Sequence, residues 1–122
     1  MTVAGSPRAM FGRAIERGNL VVAEALVREL GQPTLGELLE LTALIALKDP
    51  RRHGRVAARW LRRWLAAVED ATVDDVAFVA VQLQALGGRH HGAALASLRA
   101  LAETARAATD TTRAAVRQTF DG

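Results

Sequence analysis

RRHGRVAARWLRRWLAA, residues 51–67, places six arginines, one histidine and two tryptophans in seventeen positions. How this stretch winds decides the fold. At about 100° per residue, Arg52, Arg55, Arg59, Arg62 and Arg63 fall within an arc of roughly 100°, while Val56, Trp60, Leu61, Trp64, Leu65 and Val68 take the rest of the circumference. A helix lying on a membrane balances its apolar and charged halves. An apolar arc nearly twice as wide as the charged one instead predicts a helix packed among neighbours.

Those neighbours can be read from end signals on both sides. Ser6 and Pro7 form an N-cap and first helical residue, and Gly18 is the left-handed stop of that first helix. Asn19 caps a second helix, in which Ala23, Leu26, Val27 and Leu30 share a face and Glu24 and Arg28 are spaced as an i,i+4 pair. Gly31 and Pro33 end it. Thr34 and Glu37 form a capping box that opens a third helix through Lys48, closed by Asp49 and Pro50, which also cap the arginine helix. TVDD, residues 72–75, opens a fifth helix ending at Gly87 and Gly88, and a sixth begins near His91 and reaches at least Ala108.

The sequence therefore predicts an all-α fold of five or six antiparallel helices in short hairpins, either a bundle or a short irregular α-solenoid. LTALIAL in the third helix and VAFVAVQLQAL in the fifth are apolar on nearly every side, which places those two helices at the centre. AIERGNLVVAEALVRELG, residues 14–31, has the rhythm of an ankyrin-like helix hairpin, but the odd-numbered helices start near residues 7, 35 and 73, so no repeat period is kept. Residues 1–108 read as one domain. Residues 109–122, rich in Thr and Asp with an isolated Phe120, read as a short extra helix or a flexible tail.

Composition agrees. A chain of 122 residues hides roughly two-thirds of its unfolded surface. Half the residues are hydrophobic but only 4% are aromatic, so Ala, Leu and Val make the core and favour helix over sheet. Net charge is +3, and fifteen of the sixteen basic residues are arginine, a bias of GC-rich coding that says little about partners by itself. Position says more: residues 51–68 carry +6 and residues 69–88 carry −4. There is no cysteine, which excludes disulfides, thiolate catalysis and cysteine-based zinc sites. The longest apolar run, LLELTALIAL, has ten residues and contains Glu40, and MTVAGSPRAM lacks the apolar core of a leader, so a cytoplasmic, unanchored protein is expected.

Catalytic chemistry finds no footing. His90 and His91 are adjacent and point about 100° apart on a helix, so a metal would need His53 from elsewhere. Glu37 is used by its capping box, which leaves Glu40 alone. Ser6 and Ser97 sit in no nucleophile elbow, and GGRHHG is no phosphate loop. The expectation is a non-enzymatic interaction or adaptor module with no cofactor, no metal and no small-molecule substrate. It binds a protein partner or itself through the face that joins Arg52, Arg55, Arg59, Arg62 and Arg63 to Trp60 and Trp64, or through the C-terminal helix. The alternative is a nucleic-acid-binding protein whose arginines at 52–63 contact phosphates. RGNL, AEALVRELG, LTALIALKDPRR, RVAARWL and LQALGG, spread over residues 13–105, resemble small all-helical proteins of GC-rich, actinobacterial-type genomes. That resemblance implies a compact helical fold and carries over no activity, cofactor or site residue.

Overall fold

The computed structural model of the chain describes residues 5–121, with side-chain surroundings through residue 119. The start of the leader reading at residues 1–4 and the side chain of Phe120 lie outside the described residues. Six α-helices follow in order: α1 Pro7–Glu16, α2 Leu20–Glu29, α3 Leu35–Lys48, α4 His53–Ala67, α5 Val73–Ala85 and α6 His91–Asp121. A 3-10 turn at Pro50–Arg52 joins α3 to α4, and no strand occurs among the described residues.

Most boundaries fall where short-range chemistry puts them. The Ser6 hydroxyl accepts from Ala9 N, and the Asn19 side chain accepts from Val22 N. Gly18 and Gly31 turn the chain at φ of +69° and +75°, a region that costs a residue with a Cβ about 1 kcal/mol or more. Thr34 with Glu37, and Thr72 with Asp75, each form both halves of a capping box. The α3–α4 corner departs from expectation. Asp49 closes α3 as expected, its N–H bonding Ile45 O, but its side chain makes no N-cap bond: the carboxylate holds Arg52 Nε at 2.8 Å, and the chain enters α4 through the 3-10 turn.

Two hydrophobic clusters meet on α3. Phe11, Ala14, Ala23 and Leu26 of the α1–α2 hairpin close on Leu44, while Leu39, Ala43 and Ala46 join Trp60, Trp64, Val79, Leu83, Leu86 and Leu98 in the larger cluster. α3 is thus central, as its apolar sequence implied. α5 is not: it packs only on α4 and α6 and leaves Val73, Phe78 and Val81 exposed. An all-round apolar sequence states what a helix is able to bury, not how many neighbours the topology supplies.

The last helix is longer than expected. α6 runs unbroken for 31 residues, roughly 46 Å, so residues from 109 continue it rather than forming a separate helix or a tail. No glycine or proline occurs between Ala93 and Asp121, and Thr104, Thr111 and Thr119 turn their hydroxyls back onto the carbonyls of Ala100, Ala107 and Ala115. Its first half buries Ala94, Leu95, Leu98, Ala102 and Ala105, whereas every residue from Arg106 to Thr119 is exposed.

Candidate interaction surface

α4 divides its side chains between two tasks. Trp60 is 2% exposed and Trp64 3%, so both indoles belong to the core and neither is offered to a partner. This removes the tryptophans from the expected binding face. Trp60 Nε1 donates to Leu35 O at 2.9 Å, fastening the middle of α4 to the first turn of α3. Trp64 Nε1 has no acceptor although it is buried, a state that costs about 1–3 kcal/mol for a neutral donor. The apolar arc is also less fully covered than its width implied, for Leu65 is 39% exposed and Ala58 and Ala66 lie at the surface.

The five arginines separate as well. Arg52, in the 3-10 turn, forks onto both carboxylate oxygens of Glu24 at 2.7 and 2.9 Å while also holding Asp49. This bidentate geometry ties α2 to the α3–α4 corner. It holds the Glu24 carboxyl below its ordinary value, chiefly through the hydrogen bonds from Arg52, and raises Arg52 further above the range in which it would titrate. The expected Glu24–Arg28 helix pair is displaced: Glu24 gives both oxygens to Arg52, and Arg28 acts on it only through its charge. Arg63 leans the other way, donating to Pro33 O at 3.3 Å.

Arg55, Arg59 and Arg62 remain. All three are exposed on one side of α4 and have no hydrogen bond or ion pair among the described residues. Spaced four and three residues apart, they form a ridge roughly 10 Å long at 1.5 Å per residue. Past the end of α4, Glu69 and Asp70 are exposed in the turn that follows and bring negative charge. The ridge is a short cationic patch with an acidic end, not a long basic stripe.

Of the other polar candidates, His90 is exposed, and His53 and His91 are committed to structure. His53 Nε2 lies 2.8 Å from Leu83 O and His91 Nδ1 lies 2.7 Å from Leu86 O. A carbonyl only accepts, so each of these nitrogens carries its proton, and two imidazoles serve carbonyls at the end of α5, that of Leu83 also accepting from Leu86 N. The described residues contain no group of three or more His, Asp or Glu placed to hold a metal ion. Glu40 receives a fork from Arg99 at 2.7 and 2.8 Å, which joins α3 to α6 and raises Arg99 above its ordinary value through those bonds. Arg8 meets Glu37 at 2.8 Å, and Arg106 pairs with Glu103. These pairs rim a broad groove of about 1250 Å³ between α1, α3 and α6, in which Glu37, Glu40 and Glu103 have arginine partners while Glu16 and Asp110 have no ion pair among the described residues.

A second groove, about 1140 Å³, escaped the sequence reading. It runs between the end of α4, α5 and the far half of α6, with Trp64, Phe78 and Val116 in its walls. The signals were present in an α5 too apolar for two neighbours and in a sixth helix with nothing to stop it. No described helix is long and apolar enough to cross a membrane. Comparison with protein-family models, curated proteins and solved structures returns no match for the chain.

Proposed function

We propose that the protein is a non-enzymatic helical interaction module whose α4 ridge, Arg55, Arg59 and Arg62, binds an acidic surface on a protein partner. One observation carries this reading: three exposed guanidiniums with no hydrogen bond or ion pair among the described residues are gathered on one side of one helix, while Arg52, Arg8, Arg99 and Arg106 are each engaged by a carboxylate of the same chain. Arginine combines a permanent charge with a planar fork that grips carboxylates in pairs, and it is among the residues that dominate binding hot spots. The acidic turn that follows α4 favours a protein over a nucleic acid. A phosphate backbone laid along the helix would run from the ridge into Glu69 and Asp70 within a few turns, whereas a compact carboxylate cluster can cover the ridge alone.

A photoreactive residue in place of Ala58, exposed beside the ridge, tests the reading in the cell that makes the protein. The expected product is a nuclease-resistant protein adduct that disappears with Arg59→Glu and Arg62→Glu. A nuclease-sensitive adduct assigns the ridge to phosphates instead, and an adduct indifferent to both substitutions removes the ridge from the interface.

A further inference from the structure

The far half of α6 presents a physical difficulty. Fourteen residues, Arg106 to Thr119, stand as helix with every side chain exposed, and isolated helices of about this length are marginal in water. The helix is not uniformly polar. Ala105, Ala108, Thr112 and Val116 continue the side that α6 buries against the body through Leu98 and Leu101, and that side faces the second groove. Across the groove stands Phe78, 49% exposed, matched by Val116 at 49%. A wall of Trp64, Val79 and Leu101 lies between them, so the groove is apolar at its base.

Its edges differ in sign. Glu69, Asp70 and Asp75 line the α4–α5 side, where Arg63 offsets only one of the three carboxylates, whereas Arg113 lines the far half of α6 with Arg117 one turn beyond it; the three carboxylates, Arg113 and Arg117 have no ion-pair partner among the described residues. One chain therefore carries both an apolar groove with an acidic lip and a helix with apolar and basic sides. A surface that holds both halves of a complementary pair is able to close on a copy of itself about a two-fold axis.

We propose that two copies associate through this groove, the far half of each α6 lying antiparallel to the other and filling the partner's groove. In this arrangement the two α6 helices form the middle layer. Each α5 covers one flank, Val116 of one copy meets Phe78 of the other, and Arg113 and Arg117 face the opposite acidic lip. The pairing supplies the tertiary support that the far half of α6 lacks within its own chain. It uses none of Arg55, Arg59 and Arg62, so it leaves the α4 ridge free and stands or falls separately from it.

The test is solution mass across a concentration series, by sedimentation, with far-UV circular dichroism to verify folding. The wild-type chain is expected at twice its 13.0 kDa mass when concentrated, dissociating on dilution. Val116→Glu, at an exposed helix position that cannot unfold the body, is expected to leave a monomer. The charge swap is more searching. Arg113→Glu with Arg117→Glu makes one variant, and Glu69→Arg with Asp70→Arg makes a second; each alone is expected to be monomeric, and an equal mixture is expected to restore the dimer because both of its contacts are again between opposite charges. Arg59→Glu with Arg62→Glu is expected to dimerise like the wild type. A wild-type chain that stays monomeric at millimolar concentration overturns the proposal, and so does a dimer that survives Val116→Glu or a mixture that fails to associate.

Discussion

The inward and outward sides of α4 are built from neighbouring residues and carry different burdens. Trp60 and Trp64 are buried to within a few per cent and hold α4 against α3, α5 and α6, while Arg55, Arg59 and Arg62 are exposed and make no hydrogen bond or ion pair among the described residues. Fold and recognition are thus separable along one helix, and the boundary between them is only a residue or two wide. Arg52 shows how narrow it is. Three residues before Arg55 and on the same projected stripe, it is a structural clamp across α2 and the α3–α4 corner.

The largest break in this contrast comes from the inward side. Trp60→Ala removes a fully buried indole and its bond to Leu35, and is expected to cost about 3–5 kcal/mol in urea unfolding. Aromatic exchange sharpens the difference between the two indoles. Trp60→Phe gives up the bond to the Leu35 carbonyl, which keeps its helix partner, whereas Trp64→Phe discards a donor that had no acceptor, so the first is expected to be the more destabilising by about 1 kcal/mol. Thr34→Ala, which dismantles one capping box of α3, is expected to cost about 1 kcal/mol by the same measurement.

Acid probes the Arg52 clamp. The Glu24 carboxyl is held below its ordinary value of 4.5 in the fold, so its contribution is present above that value and is lost as pH falls through the lowered one. Unfolding midpoints followed down through that window are expected to decline, and Glu24→Gln to flatten part of the decline. The smallest effects belong to the outward side, where single alanine substitutions of Arg55, Arg59 or Arg62 are expected to stay within about 0.5 kcal/mol of the wild type.

Much of the fold was legible because it is written locally. Ser6, Asn19, Thr34 and Thr72 cap the helices they precede, and Gly18 and Gly31 take the left-handed turns their positions called for. What stayed hidden depends on partners distant in the chain. The choice of Glu24 by Arg52 over the nearer Arg28 spans 28 residues, the exposure of α5 follows from the number of helices left to cover it, and the reach of α6 beyond the body depends on where the others end. The candidate site was half visible. Projection found the arginine stripe, but periodicity alone could not tell that Arg52 and Arg63 turn to neighbours or that both indoles lie wholly inside.

Replacing Arg55, Arg59 and Arg62 together by glutamate, and measuring the unfolding midpoint beside the yield of the Ala58 photoadduct, tests the division of α4 most directly. The expected result is a midpoint close to that of the wild type with the adduct reduced to background. A collapse of the fold would mean that the ridge is structural after all, and an undiminished adduct on an intact fold would mean that the partner is held elsewhere.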